Sequence, residues 1–237
     1  MNRLLASELL KLTSLRSLCL AVAAAVVAVG LLAAAVADAG RDALGPAPAD
    51  PVALPMEYFA YAVMAVSALA VTSDMVHGTY RVTLGQVASP TRVLLAKLTL
   101  GAALGTLLGL AAFASVAAGA LVADRDALSP TGLRDSALSV AVVPLVALLS
   151  ISLGALIRQT AAALTSLMVW ALGVETVLVL TLPTDVGAYL PFKTIGASRT
   201  TVGVLGPWEG IAVFAAYTAG FALLALLVQS RRDAPLR

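Results

Sequence analysis

Apolar and polar residues alternate along this chain on a scale of about twenty residues, far longer than the period of a strand or of an amphipathic helix. Charge-free runs of mainly Ala, Val, Leu and Gly cover residues 17–37, 58–73, 98–123, 136–157 and 210–230, and a sixth at 159–184 is interrupted only by Glu175. A helix rises about 1.5 Å per residue, so about 20 apolar residues cross a hydrocarbon core of roughly 30 Å. The pattern predicts six membrane-spanning helices. The run at 58–73 is short, and Met56 and Glu57 extend it to the interface at modest cost. Ahead of the first run, Leu5, Leu9 and Leu12 recur at helical spacing beside Glu8 and Lys11. That spacing predicts either a short amphipathic helix on the membrane surface or an extension of the first span. Residues 38–56, rich in Gly and Pro, predict an irregular loop.

Charge then sets the expected orientation. With a cytoplasmic N-terminus, ten of the 15 Lys and Arg lie inside: Arg3, Lys11, Arg16, Arg81, Arg92, Lys97, Arg158, Arg231, Arg232 and Arg237. The other five, Arg41, Arg125, Arg134, Lys193 and Arg199, lie outside together with most of the acidic residues. Lys and Arg favour the cytoplasmic side, so both termini are expected there. Ala35-Val36-Ala37 ahead of Asp38 imitates a signal-peptidase site. The preceding apolar run exceeds the 7–15 residues of an ordinary signal core, so an uncleaved first span is expected.

Composition removes several kinds of chemistry. With 60% hydrophobic and 12% charged residues, the chain is far more apolar than a soluble domain, in which about a quarter of residues are charged. One cysteine and one histidine leave no intramolecular disulfide and no His-rich metal site. A net charge of +2, with its cations scattered at segment ends, gives no nucleic-acid footprint. No Gly-Lys dipeptide occurs, so the phosphate-binding loop is absent, and Gly-x-Ser-x-Gly, Cys-x-x-Cys and His-Glu-x-x-His are absent too. The chain is expected to be no enzyme and to hold no cofactor or metal of its own.

Three features stand out from the apolar background. Glu175 lies inside the fifth run, where an ionisable residue costs roughly 2.5–3.5 kcal/mol unless it is paired, wet or protonated. A structural hydrogen bond, a place on a substrate pathway and proton coupling all remain open for it. Gly101, Gly105 and Gly109 repeat every four residues, a stripe that lets another helix backbone approach, without saying which helix. Finally, residues 74–97 concentrate polar groups between two apolar runs. Asp74 is placed to cap the segment after it, Gly78 permits a sharp turn, and Ser89-Pro90-Thr91 is a helix-start signal. A short helix between two caps is expected, with Met75, Tyr80, Val82 and Leu84 interspersed among His77, Arg81 and Gln86. Such a helix suits either contact with another protein or a simple solvated connector.

The stretch "HGTYRVTL", followed by "SPTRVLLAK", resembles the loop after the second span of ABC transporter permeases of the ABC-2 type. "ELLKLTSLRS" near the N-terminus and "LGPWEGIAVFAAYTAGFALLALLVQSRRDA" at the C-terminus are similar to the corresponding ends of that family. The resemblance implies an all-α membrane protein with a cytoplasmic segment at 1–16, a six-span permease domain at 17–230 and a cytoplasmic tail at 231–237. It implies a bacterial plasma-membrane location and an exporter, and spans made almost wholly of Ala, Val and Leu suit an amphiphilic substrate better than a strongly charged ion. A separate ATPase subunit would bind ATP and Mg, and a second permease would complete a homodimer or heterodimer. By the same comparison Asp74, His77, Gly78, Thr79, Tyr80 and Arg81 contact the ATPase, while Pro90, Arg92 and Lys97 fix the return into the third span. The family more often has glutamate where this chain has Asp74. It also carries short re-entrant helices between its last two spans, with which residues 183–209 are compatible. The residues alone also allow a proton-coupled secondary transporter working through Glu175, or a membrane assembly or immunity protein that transports nothing.

Overall fold

In hydrocarbon no water satisfies a backbone N–H or C=O, so a long run of Ala, Val and Leu must close its own hydrogen bonds as helix. The computed structural model describes residues 2–14, 16–41, 51–87, 89–123, 130–193 and 205–232, and among them no strand occurs. Helix α1 is Asn2–Ser14, α2 Arg16–Arg41, α3 Ala53–Val76, α4 Thr79–Val87, α5 Pro90–Ala123 and α6 Pro130–Ile157. The fifth apolar run divides into α7 (Thr160–Met168), a π-helical turn (Val169–Val174) and α8 (Glu175–Thr181). A one-turn α9 (Thr184–Gly187) precedes α10 (Pro207–Arg232). Among the described residues, six helical stretches are long and apolar enough to cross a membrane, the build of a multi-pass membrane protein.

The helices run past the charge-free segments at most ends. The third span starts at Pro90, eight residues before the apolar run at 98–123, and the second at Ala53, inside the stretch expected to be an irregular loop. Both differences have one cause. A charge-free run marks the stretch that fits hydrocarbon, whereas a helix continues until its caps. Pro90 occupies the first helical position, where its missing N–H costs nothing, and Val93 N–H bonds back to Ser89 O at 3.4 Å. Val52, Pro55 and Met56 are buried at the start of α3, so packing extends that helix. Residues 42–50 of the expected loop lie outside the described residues.

Helix α6 occupies the middle of the bundle: 56% of its membrane window is buried inside the protein, against 17% for α2 and for α10. It packs on α3, α5 and α10, while α2 lies along α5 and α3, and α7 lies on α3. Val71, Leu94, Leu98, Ile151, Ala155 and Ala225 form one apolar cluster. It joins the C-terminal parts of α3, α6 and α10 to the start of α5.

The glycine stripe finds its partner within the same chain. A Cβ on Gly101 would collide with Ile151 Cδ1, one on Gly105 would lie 2.8 Å from Pro144 Cα, and one on Gly109 would lie 3.2 Å from Val140 O. Pro144 sits inside α6 and has no N–H to give to the carbonyl four residues back, which is that of Val140. The bare Gly109 backbone closes over this carbonyl. A second close approach, not singled out by spacing, joins α2 to α5. There Gly30 meets Gly119 and Ser115, and Ser115 Oγ donates to Val26 O at 2.8 Å. Gly105→Val should therefore destabilise the protein by about 1–3 kcal/mol through overpacking against backbone. Thermal unfolding in detergent checks this against Gly220→Val, where a Cβ meets nothing within 4 Å and the change should stay within about 0.5 kcal/mol.

Candidate functional site

The polar block between α3 and α5 folds as its caps require. α3 ends at His77, whose N–H bonds to Ser73 O at 3.0 Å, and Gly78 follows with φ of 75°. This left-handed residue after a helix is a position that suits glycine. His77 Nδ1 lies 2.8 Å from the Ser73 carbonyl, so Nδ1 carries the proton and the exposed imidazole serves as part of the cap. The chain then re-enters helix at Thr79.

From Thr79 a closed ring of polar side chains runs through four helices. Thr79 Oγ1 on α4 donates to Asp74 Oδ1 on α3 at 2.9 Å. Asp74 Oδ2 accepts from Lys97 Nζ on α5 at 2.5 Å. Lys97 also donates to Glu8 Oε2 on α1 at 2.6 Å. The other oxygen of Glu8 accepts from Lys11 Nζ at 2.6 Å, and Lys11 returns to α4 by donating to Thr83 Oγ1 at 3.2 Å. Thr83 Oγ1 donates in turn to Thr79 O at 3.1 Å. Two carboxylates thus face two ammonium groups, with side-chain exposures of 4% for Glu8, 10% for Lys97, 16% for Asp74 and 37% for Lys11. Charges this dry hold only when each is paired. The ring therefore ties α4 to α1, α3 and α5 as one unit.

Residues read from the sequence divide between this ring and the surface. Asp74 and Lys97 turn inward to each other, with Asp74 in the last turn of α3 and Lys97 in the second turn of α5 rather than in a loop. Tyr80 is buried, as is Pro90, whereas His77, Gly78, Thr79 and Arg92 are exposed. The Arg81 side chain lies outside the described residues. Helix α1 and the first span lie on either side of residue 15, which is outside the described residues, and Glu8 of α1 is buried, 3% exposed. Glu8, Lys11 and Thr83 are ring members that sequence reasoning did not select. The Glu8 and Lys11 pair carries a weak signal at i,i+3 spacing, which reads equally well as a solvated face.

Glu175 builds a second site, at the other end of the fifth span from its start beside α6. The π-helical turn before it uses i→i+5 bonding, and the Glu175 N–H accordingly bonds to Trp170 O. The same spacing brings the Trp170 indole N–H to Glu175 Oε1 at 2.8 Å. The carboxylate also accepts from Phe192 N–H, 3.0 Å from either oxygen, and from Lys193 N–H at 3.0 Å. Glu175 is fully buried and holds the first turn of the segment after Pro191. Phe192 in turn rests on Phe214 of α10, ring centroids 6.2 Å apart. The partner of Glu175 is thus the connection between the last two spans, not a neighbouring span. Residues 194–204, which include much of the segment compared with re-entrant helices, lie outside the described residues. Among the described residues no group of three or more His, Cys, Asp or Glu is placed to hold a metal ion.

Comparison with protein-family models, with curated proteins and with solved structures finds no match to this chain.

Proposed function

We propose that this chain is the membrane subunit of an ATP-driven exporter, a permease of the ABC-2 type whose work is supplied by a separate ATPase subunit docking on α4. The observation that carries this reading is the ring that clamps α4. A helix that receives force from a partner must be fixed to the spans it moves, and α4 is bonded at Thr79 to α3 and at Thr83 to α1, and through Asp74 and Lys97 to α5. A solvated connector has no need of four mostly buried charges. The reading is supported further by the resemblance of residues 77–84 and 89–97 and of both chain ends to that family. The distribution of Lys and Arg supports a cytoplasmic location for α1, α4 and both termini. Exposed His77, Gly78 and Thr79 then form the docking surface together with Arg81, and a second permease completes the transporter.

A reading frame beside this one should encode a protein with a Gly-x-x-x-x-Gly-Lys-Ser/Thr loop. Replacing Gly78, whose φ of 75° disfavours any side chain, or replacing Thr79 or Arg81, should uncouple transport while membrane insertion persists. The expected fall in transport is about 5- to 150-fold, the range of an ordinary coupling free energy. Unchanged ATPase co-purification and unchanged transport in all three variants would remove α4 from its role. A proton-driven carrier working through Glu175 makes the opposite demand, flux in vesicles with a proton gradient and no nucleotide. The N–H donors on both oxygens of Glu175 favour a structural tie for that residue instead.

A further inference from the structure

A cavity of about 460 Å³ lies between α1, α2, α3, α5 and α6. Val22 and Ala25 of α2, Val66 and Ala70 of α3, and Leu104 and Leu108 of α5 make its walls, and the ring residues Glu8, Lys11, Asp74 and Lys97 close one end. The cavity is long and narrow. Phe59 and Asp74 both line it, and 15 residues of α3 between them span about 22 Å at 1.5 Å per residue. Spread over that length, the volume makes an elongated slot that admits a hydrocarbon chain lengthwise, in contact with its walls at C···C distances of about 3.5–4.0 Å. At about 30 Å³ per water-sized group it takes on the order of fifteen such groups, the length of a membrane acyl chain.

Wall chemistry selects the occupant. A buried water needs two to four polar partners, and away from the ring end the mainly aliphatic walls offer little beyond the single hydroxyl of Ser67. Cys19 and Ala21 of α2 line the cavity and are exposed, so it opens beside a helix long and apolar enough to cross the bilayer. Its polar end carries two carboxylates and two ammonium groups in balance. A headgroup with both signs matches that end, whereas a net-charged one meets as many like charges as opposite ones.

We infer that this slot is a binding site for one acyl chain of a zwitterionic phospholipid drawn from the surrounding bilayer, with its headgroup at the Glu8, Lys11, Asp74 and Lys97 ring. Lys11, the most exposed of the four charged ring members, stands at the rim to receive the phosphate. The site stands on its own geometry and does not depend on the ATPase partnership.

The experiment uses the full chain reconstituted in liposomes of phosphatidylcholine and phosphatidylglycerol in equal parts, then released for native mass spectrometry. One phosphatidylcholine should stay on each wild-type chain, and Val66→Trp, which fills the slot, should lose it. Because that variant could misfold, a second arm uses folded wild-type protein alkylated at Cys19, the chain's one cysteine. A bulky maleimide on Cys19 should expel the lipid, and a methylthio group should leave it bound. Wild-type protein that retains no lipid, retention of phosphatidylglycerol in preference, or retention unchanged by the bulky maleimide each overturns the assignment.

Discussion

Lys97→Met should be among the most damaging single substitutions in this protein, costing about 3–5 kcal/mol, the range found when one partner of a buried ion pair is removed. Lys97 is the cation in the ring that pairs directly with both Glu8 and Asp74. Its loss leaves two carboxylates, 4% and 16% exposed, without their shared cation. Thermal unfolding in detergent reads the cost. The triple variant Glu8→Gln, Asp74→Asn, Lys97→Met removes both carboxylates, leaves only the more exposed Lys11 without an anion, and should recover much of the loss, because a neutral replacement for a buried pair is often tolerated. Such recovery separates charge stranding from lost packing of the lysine stem. A triple variant no more stable than Lys97→Met would mean that the stem, not the charge, is what matters.

Glu175→Leu should be nearly as damaging for a different reason. It removes the acceptor from Trp170 Nε1 and from the N–H groups of Phe192 and Lys193. Each donor that finds no other acceptor costs about 1–3 kcal/mol, and hydrocarbon offers none. Glu175→Gln keeps one accepting oxygen and should fall between Leu and wild type. In a Trp208→Phe background the remaining Trp170 reports the broken bond by its fluorescence, since the chain has two tryptophans. A proton carrier predicts another pattern, with Glu175→Gln fully stable and transport abolished.

The two sites differ in how far they can be read from sequence. The spans are legible because hydrocarbon imposes one rule on every residue within it. The helix starts at Ala53 and Pro90 are less so, since caps and packing set them rather than hydropathy. The glycine stripe announces close packing, but its partner α6 becomes identifiable only through Pro144, whose missing N–H gives Gly109 a bare carbonyl to cover. In the block after α3, Gly78 and the Ser89-Pro90 start are local signals, and the short helix between them is their consequence. The ring is not local. Glu8 meets Lys97 across 89 positions, and nothing near Glu8 distinguishes it from a solvated glutamate beside a lysine. Glu175 is conspicuous in an apolar run, yet its donors are backbone groups of Phe192 and Lys193, and a backbone N–H has no signature in sequence. The π-helical turn that brings Trp170 to it is equally silent.

If an ATPase subunit grips this chain at α4, site-directed cross-linking should capture the grip. In a Cys19→Ser background, a cysteine introduced by Val82→Cys on α4, where the native side chain is 66% exposed, should form an adduct with the ATPase encoded beside this chain. One introduced by Tyr189→Cys at the far end of the bundle, 47% exposed, should form none. The yield from Val82→Cys should also change when ATP is added. An active transporter that gives no adduct from α4, or gives one only from the far end, would mean that the ATPase grips elsewhere and that α4 is not the coupling helix.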